Sequence, residues 1–343
     1  MSRVNRRAIS RAQKIRKVAA GESNHFPLVN SNAAGIDIGS KETYVAVPES
    51  RCSESIRSFG MATCDLYAIA DWLEQCAIDS VAMESTGVYW IPLFQILDAR
   101  GISVCLVNAC HAKNVPGRKT DVIDCRWLQR LHTYGLLAAS FRPADEICVL
   151  RSYWRQRAML VRSSCDHIRR MQKALTQMNV LLHNVVSDIT GVTGMAILKA
   201  IIGGERDCRK LAILRNYRCK KSEHEIAKAL DGDYREEHIF SLRQAIDSWN
   251  HCLSQIAECD RKIETYMGDL EAKTDKKFTG KPPKISKAKR HDPPPALREQ
   301  LYRITGVDLT AVTGIEMTTA LTIISEIGAT STPGLRLDIL PHG

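Results

Sequence analysis

No stretch of 18 uninterrupted apolar residues occurs in the chain, no CxxC pair, and no basic leader followed by an apolar run. The first absence leaves no candidate for a membrane-spanning helix. The second leaves the 12 cysteines without a zinc-ligand spacing. Most of them, like Cys105, sit among apolar residues and read as reduced thiols of a cytosolic protein. The third sets the N-terminus apart from a secretion signal: Arg3, Arg6, Arg7, Arg11 and Lys14 have nothing apolar behind them. An acidic excess is missing too. Against 38 Asp and Glu stand 48 Lys and Arg, a net charge of +10 over 343 residues. That balance favours a polyanionic partner, because phosphates neutralised by Lys and Arg release counterions. By itself it does not separate DNA from RNA or from an anionic membrane.

What is present falls into two patterns. GIDIGSKETYVAV (35–47) reads as two strands joined by a tight turn, with Asp37 between Ile36 and Ile38. Leu66, Ile69, Ala70, Leu73 and Ala77 have helical spacing over 65–78. SVAME (80–84) reads as a short buried strand, Gly87 opens a helix running to about Arg100, and SVCLV (103–107) is another strand. A loop at 111–119 carries Lys113, Arg118 and Lys119 and precedes a helix starting near Thr120. The order is mixed α/β, a sheet between helices. From Leu150 onward the period changes. Leu150, Trp154, Ile168, Met171, Leu175 and further apolar residues to Val185 step by threes and fours, with Arg157 and Ser164 in the same series. A second seam runs from Leu242 to Leu270, and Asp260 is its one polar member. The two seams read equally as an antiparallel hairpin within one chain or as an inter-chain coiled coil. ITGVTGMAILKAIIGG (189–204) reads either as a glycine turn offering backbone N–H groups of Gly191 and Gly194 to a phosphate or as a plain structural turn. A looser copy lies at 304–328. Residues 273–295 hold eight Lys and Arg and five prolines and read as an extended spacer, free or laid along a nucleic-acid backbone.

Four carboxylates stand out by placement. Asp37 lies inside an apolar strand, Glu84 ends another, and Asp121 and Asp124 are three apart at a helix start and so share a face. Each has an ordinary reading: turn amides for Asp37, a basic partner for Glu84, the helix dipole for Asp121 and Asp124. Together they form a pattern suited to Mg²⁺ or Mn²⁺, because converging carboxylates repel unless cations join them, and oxygen ligands suit hard ions. Two such ions can clamp the attacking and leaving oxygens of a phosphodiester.

The runs GIDIGSKETYVAV, AMESTGVYW and GRKTDVIDCRWLQRL resemble the DEDD transposases of bacterial insertion sequences, the group associated with bridge RNA. The resemblance implies a RuvC-like, ribonuclease-H-like α/β domain whose catalytic and metal-binding quartet is Asp37, Glu84, Asp121 and Asp124. It also implies a coiled-coil region and the start of a C-terminal transposase domain in RITGVDLTAVTGIEMTTALTIISEIG (303–328). The expected division is a basic arm (1–30), the RuvC-like domain (31–145), long coiled-coil helices (146–272) with a helical insert (187–235), a basic linker (273–298), the partial transposase domain (299–328) and an aberrant tail (329–343). The expected function is DNA recombination that mobilises an insertion sequence, in the bacterial cytosol at the nucleoid. DNA, a structured guide RNA and further copies of the chain are the expected partners, with Lys113, Arg118, Lys119 and Arg126 as nucleic-acid contacts. The family's serine-bearing segment has no match here. Strand exchange is therefore expected to be absent, and part of the apolar surface of 299–328 to be exposed. The alternatives are a stand-alone DEDD nuclease on branched DNA and a non-catalytic nucleic-acid binder.

Overall fold

The computed structural model describes residues 27–85, 87–108, 121–280 and 291–329, the side chains of 121–123 excepted. They form two compact units that divide between Phe141 and Arg142.

The first unit is built on a five-stranded sheet: β1 (Ala33–Ile38), β2 (Glu42–Ala46), β3 (Ile56–Gly60), β4 (Ser80–Glu84) and β5 (Ser103–Val107), in the order β3-β2-β1-β4-β5. β1 runs antiparallel to β2 and parallel to β4, and β4 runs parallel to β5. The alternation of side chains explains both faces. Ile36, Ile38, Val81, Met83 and Leu106 point to one side and share a core with α1 (Thr63–Gln75) and α2 (Trp90–Ala99). The intervening residues Ala82 and Val107 point the other way, under α3 (Asp121–Thr133), where Leu128 covers them. The β3 strand was not anticipated. Its sequence, IRSFG, lacks a clean alternation because it is a half-buried edge, with the Arg57 guanidinium 4.9 Å from the centre of the Trp72 ring.

Gly35 sets the distance between sheet and helix. A Cβ there would strike the backbone of α3 at the Cys125 carbonyl and the Gln129 amide. Backbone cannot rotate aside as a side chain can. Gly35→Ala is therefore expected to lift α3 off the sheet and destabilise this unit by about 3 kcal/mol, the upper end for overpacking. A denaturant midpoint unchanged from that of the parent would show that the helix does not sit this close.

The second unit is a long helical hairpin. α4 (Asp145–Gln177) lies antiparallel to α9 (Glu236–Asp269). At one end Met171 and Leu175 are buried with Leu242, Ile246 and Trp249; at the other, Leu150 and Trp154 are buried with Ile263 and Met267. The two predicted seams thus face each other within the chain. The first is shorter than its apolar spacing suggests. The helix stops at Gln177, Asn179 takes φ 56°, and Val185 belongs to the separate short α5 (Leu182–Val185). The polar seam residues match: Arg157 Nε donates to Asp260 Oδ1 at 2.5 Å, both side chains are nearly inaccessible, and Arg157 Nη2 also donates to the His291 carbonyl.

Between the two long helices, α6 (Val192–Ile202), α7 (Cys208–Ile213) and α8 (Glu223–Ala229) cap one end of the hairpin. Of the two readings open for 189–204, a phosphate turn through both glycines does not fit. Gly194 lies inside α6, where the missing Cβ makes room for the Ile189 carbonyl, so it does not open a turn. At the other end, α10 (Ala296–Thr305) and α11 (Met317–Ile327) pack on α4 and α9. Here the expectation that part of the apolar surface is exposed is met, at Val307, Val312 and Ile327, while the rest is covered. Leu301, Ile304, Ala320 and Ile324 are buried against Leu150, Trp154, Ile263 and Met267, while Val307 remains 56% exposed. Nor is the linker all spacer: α10 starts inside it and Leu297 is fully buried, while the Phe278 ring lies 5.2 Å from that of Tyr302.

Candidate metal centre

The strand register decides where the predicted carboxylates go. In the parallel pair β1–β4, Gly35 stands opposite Ala82 and Ile36 opposite Met83. One step further along both strands come Asp37 and Glu84. Two residues on from Gly35 and Ala82, they return to the α3 side of the sheet. Helix α3 runs counter to these strands. Its last turn meets the start of β4, where His132 Nε2 and Ser80 Oγ are 2.6 Å apart, and its middle crosses Gly35. Its first turn, with Asp121 and Asp124, therefore lies toward the strand ends that carry Asp37 and Glu84. Asp37 and Asp124 are half-buried and Glu84 is 5% exposed. The side chain of Asp121 lies outside the described residues.

Two backbone devices hold Glu84. Its strand is paired with β5 up to Val107, and the next residue, Ser85, donates both its amide (2.9 Å) and its hydroxyl (3.1 Å) to the Val107 carbonyl. Tyr44 stands directly opposite Asp37 on β2, on the same side of the sheet. It was not singled out from the sequence, although a tight turn at 39–41 implies that pairing. Cys125 is a fully buried residue of α3, close enough to Asp37 to feel its charge. Burial, reinforced by the negative charge of Asp37, pushes its thiol up to about 11. Raised this far, the thiol is protonated at neutral pH.

The four predicted donors are all carboxylates, a set whose chemistry would fit Mg²⁺ or Mn²⁺ and not a thiophilic ion. Among the described residues, no three His, Cys, Asp or Glu side chains are gathered tightly enough to hold an ion. Of the predicted nucleic-acid contacts, Lys113, Arg118 and Lys119 lie outside the described residues. Arg126 is placed on α3, where Nη2 donates to Ser55 Oγ at 3.0 Å and lies 3.5 Å from Glu49.

At the far end of α3, burial holds the His132 imidazole below its usual pKa, against the opposing charge of Asp79. The folded form thus keeps His132 neutral while the unfolded chain takes a proton near pH 6.5. Below that pH the unfolded state binds more protons, so stability falls as pH drops and levels off under the folded value. The protection of β1 and β4 amides, corrected for the pH dependence of intrinsic exchange, is expected to be lower at pH 5 than at pH 7.5, and His132→Gln to reduce the difference. An equal difference in the variant would assign it elsewhere.

A family model for DEDD transposases of the IS110 group, described as Transposase, matches residues 34–180. That span takes in β1, β4 and α3, with all four acidic positions, and runs on through α4. No curated protein matches the chain. Among the described residues, no helix is long and apolar enough to cross a membrane.

Proposed function

We propose, from the match of residues 34–180 to a DEDD transposase family model, that the first unit cuts or joins DNA strands with divalent metal. The observation that carries this reading is the common side of Asp37 and Glu84: adjacent positions on β1 and β4, facing the helix that bears Asp121 and Asp124. These four residues would hold Mg²⁺ or Mn²⁺. The ion, when bound, supplies charge neutralisation at the scissile phosphate and activation of the attacking oxygen.

The protein's own contribution is position. Strand pairing fixes Asp37 and Glu84, and Gly35 lets α3 approach so that its acidic turn can converge on them. Burial of Glu84 limits water at the site, which strengthens charge interactions there. The basic excess of the chain favours DNA and, as a second partner, a structured guide RNA. The helices of the second unit would then serve assembly of several copies, and 299–328 would be the start of the C-terminal transposase domain. Its Ser325 is buried, with Oγ donating to the Thr322 carbonyl at 3.0 Å, so it is no candidate for attack on DNA. The setting of this activity is the bacterial cytosol.

Incubating the full chain with branched and linear DNA in Mg²⁺, in Mn²⁺ and in chelator tests the reading. Cleavage in either metal and none in chelator is expected. Equal cleavage in chelator would remove the metal from the account.

A further inference from the structure

A second surface with a chemistry of its own lies in the helical insert, between α7 and α8. Residues 206–221 contain seven Lys and Arg against a single acid, Asp207, which is occupied in capping α7. In the middle of this run Tyr217 is 80% exposed, Ile213 is 65% exposed, and Val192 at the start of α6 is 76% exposed. Large apolar and aromatic side chains left in solvent amid cations are not explained by the packing of the insert, whose core is complete beneath them in Leu211, Ala212 and Ile226.

The exposed tyrosine is rigidly presented. Residues 216–219 form a turn closed by Cys219 N–H to the Asn216 carbonyl at 2.8 Å, and the Asn216 side chain accepts from the Arg218 amide at 3.0 Å. The Arg215 guanidinium, which also faces Glu223, braces the turn from behind by donating to the carbonyls of Cys219 and Lys221. The Asn216 amide donates to Thr193 Oγ1 at 2.9 Å, tying the turn to the first turn of α6. At its tip the Arg218 guanidinium lies 5.3 Å from the centre of the Tyr217 ring and donates to its hydroxyl. Lys221 is paired with Glu225, but Arg209 and Lys220 are exposed and make no ion pair among the described residues.

We propose that this turn is a docking platform for an unpaired DNA strand, a base stacking on Tyr217 while Arg218, Lys220 and Arg209 take the flanking phosphates. A flat ring flanked by cations suits a strand whose bases offer their faces, and a duplex buries those faces. The occupant is DNA because DNA is the partner class that the transposase match carries; in this the inference rests on the reading above. A preformed turn also lowers the ordering cost of binding.

The test is fluorescence anisotropy with the full chain in chelator, so that the acidic site is not read. The probes are labelled oligothymidylate of about 20 nucleotides, the matching oligouridylate, and a duplex of equal length. Tyr217→Ala is expected to weaken oligothymidylate binding roughly tenfold and Tyr217→Trp to restore it. The duplex should be little affected, and an unchanged melting temperature would show the fold intact. Arg209→Ala with Lys220→Ala should flatten the salt dependence by about 1.4, at about 0.7 per charge on a single strand. Oligothymidylate binding unchanged in Tyr217→Ala, an equal loss on duplex, a preference for oligouridylate, or no binding by the parent chain would each overturn the proposal. Metal-dependent cleavage surviving alongside any of these would leave the acidic-site reading standing, and its loss alone would leave the platform standing.

Discussion

Asp37→Asn and Glu84→Gln should each lower Mg²⁺-dependent strand cleavage by about 10³-fold or more while leaving the fold in place. Both changes keep the shape of the side chain and remove its charge. Packing is therefore preserved, and on the proposed reading what is lost is the charge that would hold a divalent ion between β1, β4 and α3. The expected loss is large because neither carboxylate has a substitute at its register position: Asp37 is flanked in β1 by Ile36 and Ile38, which face the opposite core, and Glu84 is the last residue of β4. A tenfold effect or less from either variant, in a protein with an unchanged melt, would mean that the phosphodiester chemistry lies elsewhere.

The largest stability effect belongs to the second unit. Removing Arg157 by Arg157→Leu strands the Asp260 carboxylate inside the hairpin, 8% exposed and with its Arg157 bonds gone. Breaking a buried pair from one side costs about 3–5 kcal/mol, on the order of 10 °C in melting temperature for a unit of this size. Arg157→Leu with Asp260→Leu should recover most of that, because the uncompensated charge is gone and the seam becomes apolar throughout. The His291 carbonyl still loses a donor, so recovery is not expected to be complete. A double variant as unstable as the single would show that the pair contributes through packing and not through charge.

The pairing of Arg157 with Asp260 also shows what was legible beforehand. Both were visible as polar residues in otherwise apolar heptad seams, and each is the other's answer; spacing marked the positions but not the partnership, which depends on which residues an antiparallel hairpin brings level. The strands β1, β4 and β5 and the helix α3 were readable because their apolar residues recur at strand or helix period. β3 was not, because a half-buried edge needs no strict alternation. The packing partners of 299–328 were not legible for a related reason: Leu301, Ile304 and Ile324 have an apolar face, but nothing local says that Leu150 and Met267, more than 30 residues away along the chain, supply its cover. For the proposed acidic site, the candidate residues came from local pattern, and the common face of Asp37 and Glu84 came from the strand register. Tyr44 went unnoticed because its place opposite Asp37 follows only from the pairing of β1 with β2.

The most direct measurement is a calorimetric titration of the full chain with Mn²⁺, repeated on Asp37→Asn, Glu84→Gln and Asp124→Asn. Saturable binding in the parent, lost or weakened at least tenfold in all three, is the expected result. Identical isotherms in the parent and in any one of the three would contradict a shared cation between the sheet and its covering helix.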